Sequence, residues 1–106
     1  METLDIKRGR FKDIEGDNLF KKMEETFGNC HREGDWLVSS FGAMDPIKLK
    51  VISKSELVLD ITTVKVPDEE VLNSMRKKNQ ILEFATGFSA KERLKRLKKK
   101  AKEGTL

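Results

Sequence analysis

The chain has 106 residues, 38% of them charged and 37% hydrophobic, which fits one domain with a single core and a shallow groove and excludes a deep enzyme cavity. No apolar run approaches the ~18 residues that span a bilayer, and the lone Cys30 excludes an internal disulfide. The formal charge of +4 sits at one end: from Ser89 onward eight basic residues meet only Glu92 and Glu103, a net +6, while the other 14 basic and 16 acidic residues leave the body near neutral.

The first residues, Met1-Glu2-Thr3-Leu4-Asp5, show no cationic leader and no apolar signal core, so a cytoplasmic location is expected. Leu4, Ile6 and Arg8 alternate with Asp5 and Lys7, the period of a half-buried strand. Asp17 or Asn18 then offers an N-cap for a helix that buries Leu19, Phe20, Met23 and Phe27 and stops at Gly28. Cys30-His31-Arg32 is expected as a short strand, and Glu33-Gly34-Asp35 turns the chain into a second one, Trp36 to Phe41. A loop from Gly42 to Pro46 follows. Ile47, Leu49 and Val51 alternate with Lys48, Lys50 and Ile52, and Leu57, Leu59 and Ile61 alternate with Val58, Asp60 and Thr62. Short links between such strands favour an antiparallel meander with one solvated face.

Pro67 and the acidic run Asp68-Glu69-Glu70 suit the start of a helix from about Asp68 to Thr86. Its expected core stripe is Val71, Leu72, Met75, Leu82 and Ala85, with Met23, Met44 and Met75 filling gaps in the core. Ile81, Phe84 and Phe88 form a second apolar line, and Gly87 suits the left-handed stop. Ser89-Ala90-Lys91-Glu92 is a capping box for one more helix, whose Ala90, Leu94, Leu97 and Ala101 form a narrow stripe, with Leu94 and Leu97 expected to dock on Phe84 and Phe88.

The fold class expected is therefore α+β: a curved antiparallel sheet of about five strands in the order strand, helix, four strands, helix, with helices on one face. The division is residues 1–88 as the domain and 89–106 as an appended basic helix. Over residues 4–87 this order resembles the repeating half of the TATA-binding-protein fold. The segment Phe84-Ala85-Thr86-Gly87-Phe88-Ser89-Ala90-Lys91-Glu92-Arg93 is similar to the C-terminal pattern of a small archaeal family of unknown function. The first resemblance implies a fold and invites duplex DNA as a ligand. The open face of the expected sheet departs from a DNA saddle, however, because Lys48, Lys50, Ile52, Val58, Asp60, Thr62, Asp5 and Lys7 are mixed in charge and lack aromatic wedges.

The candidate binding residues are Lys91, Arg93, Lys95, Arg96, Lys98, Lys99, Lys100 and Lys102, with Arg76, Lys77 and Lys78 extending the patch if the last two helices lie side by side. Like-charge pairs such as Lys91/Lys95, Lys95/Lys99 and Arg96/Lys100 each cost about 0.2–0.5 kcal/mol of helix stability, a strain that a polyanion relieves. RNA or DNA is the partner class this favours. No aromatic follows Phe88, so binding is expected to be electrostatic and weakly sequence-specific. The alternatives are a solvated surface, or a protein partner or homodimer joined through the sheet edge. Two leucines and two alanines make too weak a stripe for membrane binding.

No enzyme, cofactor or metal site is expected. Cys30 and His31 have no second cysteine or histidine, and neighbours on a strand point to opposite faces. The acidic run Asp13, Glu15, Asp17 lacks the glycine and glutamate positions of a calcium loop. Trp36 suits either the core or a partly exposed anchor.

Overall fold

The computed structural model describes the backbone of residues 2–104 and the side chains of residues 2–99. Its elements run β1 (Glu2–Asp5), α1 (Phe11–Ile14), α2 (Asn18–Phe27), β2 (His31–Glu33), β3 (Trp36–Phe41), β4 (Met44–Val51), β5 (Glu56–Thr63), α3 (Asp68–Thr86) and α4 (Ala90–Gly104). The strands form one open antiparallel sheet in the order β1-β5-β4-β3-β2, so the α+β class and the meander are present as expected. The register sets Leu37 opposite Leu49, Leu49 opposite Leu59, Val51 opposite Leu57 and Leu4 opposite Leu57. A period of two then brings these residues to one face.

That face meets Leu19, Met23 and Phe27 from α2 and Ile81, Leu82 and Ala85 from α3, and together they form the core. The opposite face carries Lys48 across from Asp60 and Lys50 across from Val58 and is not covered by α2 or α3.

Two glycines decide how the helices are held. Gly42 (φ +52°) turns β3 into β4, and a Cβ there would collide with Ser74 Oγ of α3. Buried Ser74 accepts the Ala43 N–H at 2.9 Å and donates to Glu70 O at 2.7 Å, which ties the hairpin turn to the helix. Gly87 (φ +78°) ends α3, and a Cβ there would stand 3.0 Å from Lys7 Cβ. At this end the Lys7 N–H donates to Thr86 O at 2.7 Å and Arg10 Nε donates to Phe84 O at 2.7 Å. These donors satisfy carbonyls that a helix C-terminus otherwise leaves open. Buried Thr86 Oγ1 donates to Leu82 O at 2.6 Å and accepts the Phe88 N–H at 3.1 Å, which aims the chain out of α3.

Several expectations are corrected. The segment from Gly42 to Pro46 is not a loop throughout, because Met44 already pairs with Phe41 and Thr63 and starts β4. The Asp17 carboxylate makes no cap bond to α2 and instead accepts from Arg32 Nη2 at 2.6 Å. β1 ends at Asp5, so Lys7 lies in the following turn and not on the open sheet face. The stripe of α3 is buried only in its second half: Leu82 and Ala85 are core, but Leu72 is 58% exposed, Met75 54% and Val71 36%. The spacing is correct for one helical face. Ser74 shows that the first half of α3 is held by the β3–β4 turn on an adjacent face, and no described residue covers its apolar side.

Replacing Gly87 by alanine is expected to cost about 1–3 kcal/mol, because a side chain at this φ is strained and its Cβ crowds Lys7. Urea unfolding measures this, with Lys21→Ala on the exposed face of α2 as the control, expected to change stability by less than about 0.5 kcal/mol.

Candidate nucleic-acid interface

The expected capping box opens α4. The Ser89 N–H donates to Glu92 Oε1 at 3.2 Å, and the Glu92 N–H donates to Ser89 Oγ at 3.3 Å. Each bond satisfies a donor that a helix start leaves without an intrahelical acceptor. The Ser89 backbone N–H foremost, and then the Ser89 hydroxyl, hold the Glu92 carboxyl below the ordinary glutamate range.

From there α4 runs back beside β1. Arg93 donates from Nη1 to Phe88 O at 2.7 Å and from Nη2 to Asn79 Oδ1 at 2.9 Å. Arg96 Nε donates to Asp5 Oδ2 at 3.0 Å, and its guanidinium stands 4.5 Å from the centre of the Phe88 ring. Leu97 lines a narrow cleft with Thr3, Leu4 and Phe88.

The eight candidate cations therefore divide. Arg93 and Arg96 tie α4 to the domain. Lys91, Lys95, Lys98 and Lys99 are exposed on the other side of the helix and form no ion pair with a described residue. The side chains of Lys100 and Lys102 lie outside the described residues. Arg76, Lys77 and Lys78 do not join this face as one set. Lys78 flanks Arg93 and Leu94, whereas Lys77 turns toward α2, 6.0 Å from the Phe41 ring.

The expected docking of Leu94 and Leu97 on Phe84 is also corrected. Phe84 points toward α1 and α2, with Arg10 and Lys22 at 4.9 and 5.4 Å from its ring centre. Leu94 consequently stays 51% exposed. Only Phe88, of the two aromatics, reaches the Leu97 side of the helix.

A cleft of about 760 Å³ opens beside Arg96, and the cations around it were not singled out by the sequence. Lys7 and Arg8 enter it from the segment between β1 and α1, Lys12 from α1, Lys54 from the β4–β5 turn, and Arg96 from α4. Against these five cations the lining holds one acid, Glu15. Phe11 and Phe88 supply its apolar walls. The parts are held in place by the Ile6 N–H donating to Ser55 O at 2.8 Å and by the Lys7–Thr86 bond. Along the chain these cations are interrupted by Asp13, Glu15 and dozens of other residues, so charge patterning had no run to detect.

Cys30 and His31 form no shared site. The imidazole of His31 stands 2.7 Å from Glu33 Oε2 on the exposed β2, and burial pushes the Cys30 thiol up, away from the reactive thiolate. No group of three or more His, Cys, Asp or Glu able to hold a metal ion occurs among the described residues. Trp36 is half-buried, with Lys50 Nζ 5.8 Å from its ring. No helix among the described residues is long and apolar enough to cross a membrane.

The lowered Glu92 pKa fixes a sign. Its contribution to the start of α4 is fully present above the ordinary value of 4.5 and is lost as pH falls through the lowered folded value. The Ser89 amide resonance is therefore expected to titrate with a midpoint below 4.5, and Ser89→Ala to move the Glu92 carboxyl back toward that value.

No curated protein and no solved structure matches the chain. One family model, described as a domain of unknown function, matches residues 1–99, which include the cleft and the described side chains of α4. The chain belongs to that family, DUF5611.

Proposed function

We propose that this chain is a non-enzymatic, cytoplasmic domain that binds nucleic acid with weak sequence specificity. The observation that carries the reading is the concentration of cations on and beside α4. Arg96 lines the basic cleft and belongs to the helix that presents Lys91, Lys95, Lys98 and Lys99 to solvent. Cations that face solvent without an acidic partner attract phosphate and release its condensed counterions, a gain that does not depend on sequence.

The likeness of element order to the TATA-binding-protein repeat does not extend the proposal to duplex bending. Trp36 and Phe41 are the only aromatic residues of the described strands, and Phe41 packs on Phe27 of α2. That leaves Trp36 alone as a wedge for the open face. An archaeal origin of the family stays part of the proposal, carried by the Phe84–Arg93 pattern alone.

A second reading, self-association, is supported by the open stripe of Val71, Leu72 and Met75. The sheet edge first expected for it is less suited, since Arg96 of α4 bonds Asp5 on β1 and β2 is three residues carrying Arg32 and Glu33. A second copy is the occupant that the charges favour. Each copy offers the acidic α3 start, Asp68-Glu69-Glu70, and the lysines of α4, so a two-fold pair would set opposite signs against each other twice.

Fluorescence anisotropy with mixed-sequence RNA and DNA tests the first reading. Changing Lys91, Lys95, Lys98 and Lys99 together to glutamate is expected to abolish binding at moderate salt. Every phosphate left without its lysine should flatten the log–log salt slope by about 0.7–0.9. Absence of binding by the wild type at low salt would remove the reading. For the second, sedimentation is expected to show a wild-type dimer and a Leu72→Asp/Met75→Asp monomer; a wild type that stays monomeric throughout would remove it.

A further inference from the structure

We infer that the cleft beside Arg96 seats an unpaired base of a single strand, so that the domain prefers single-stranded nucleic acid to duplex. The inference rests on the nucleic-acid reading above and adds the class of ligand.

A patch that only attracts duplex phosphates needs exposed cations but no apolar concavity between them. Here cations from three separate chain segments surround a concavity with phenylalanine walls. Its volume of about 760 Å³ lies within the ~300–1,000 Å³ of clefts that hold small ligands, ample for one nucleotide. Phe88 is half-buried and has a fixed position: its N–H is held by Thr86, its carbonyl by Arg93, and its ring is stacked by Arg96. Arg96 in turn is held by Asp5. An arginine so anchored orients the ring and contributes little net charge. The charge is left to Lys7, Arg8, Lys12 and Lys54, none of which forms an ion pair with a described residue.

An aromatic wall beside cations is the arrangement that holds a base and its flanking phosphates without reading the base edge. In a duplex the base faces are already stacked, so reaching this wall requires unstacking, and only a free strand presents a base without that cost. The expectation drawn from the sequence, that no aromatic accompanies the basic segment, holds along the chain but not in space. Phe88 precedes the segment and Phe11 is far from it in sequence, and folding brings both to Arg96.

The test uses the full chain and three labelled probes of one mixed sequence: single-stranded DNA, single-stranded RNA and the DNA duplex. The wild type is expected to bind at least one single strand more tightly than the duplex. Phe88→Leu keeps an apolar side chain and is expected to weaken single-strand binding about 5- to 150-fold while leaving duplex affinity unchanged. Lys12→Gln and Lys54→Gln, both at exposed positions, provide a second arm that does not threaten the fold. Each should weaken single-strand binding and reduce its salt slope by about 0.7. Duplex affinity equal to or above single-strand affinity, or an unchanged ratio in Phe88→Leu with unchanged slopes in the lysine variants, overturns the inference and leaves the general reading standing. Failure of all three probes to bind at low salt overturns both.

Discussion

The carbonyl end of α3 is the joint on which the rest of the molecule depends. Its last carbonyls accept from the Lys7 backbone and the Arg10 side chain, and Gly87 lets the chain leave in the left-handed conformation that Lys7 crowds. One small region thereby fixes three things: where the β1–α1 segment lies, where Phe88 points, and where α4 begins. The basic cleft is the space left between those three parts and the β4–β5 turn. Its position follows from satisfying polar groups at a helix end, which are costly to leave unpaired when burial removes water.

α4 shows why arginine and lysine are not equivalent in a basic helix. Arg93 uses its planar fork to bond Phe88 O and Asn79 at once, and Arg96 combines a hydrogen bond to Asp5 with stacking on Phe88. The lysines have no such geometry to offer and remain in water. The helix is therefore attached by its arginines and half-covered leucines, and charged by its lysines. The like-charge repulsion along the lysine face is partly offset at the start by Glu92, whose carboxylate also closes the capping box.

Much of the fold was legible along the chain because its signals are local. Alternation located β4 and β5, the helical spacing of Leu19, Met23 and Phe27 located α2, and Gly28 and Gly87 marked the two left-handed stops. The capping box at Ser89 was readable to the residue, since it needs only two side chains three positions apart. Burial was less legible. Val71, Leu72 and Met75 have the spacing of a core stripe, but spacing reports only which residues share a face. Whether something covers that face depends on how far the sheet and α4 extend beneath it.

Sequence by itself determined the charge of the last helix, its start and its narrow apolar stripe, because composition, capping and periodicity are properties of neighbouring residues. Tertiary structure alone decided which cations serve attachment and which face water. It also decided that Lys7, Arg8, Lys12, Lys54, Phe11 and Phe88 share one cleft with Arg96. The physical reason is that a site assembled from three turns and a helix has no signature in local order: its members are brought together by hydrogen bonds at the end of α3 and by packing of the sheet beneath them.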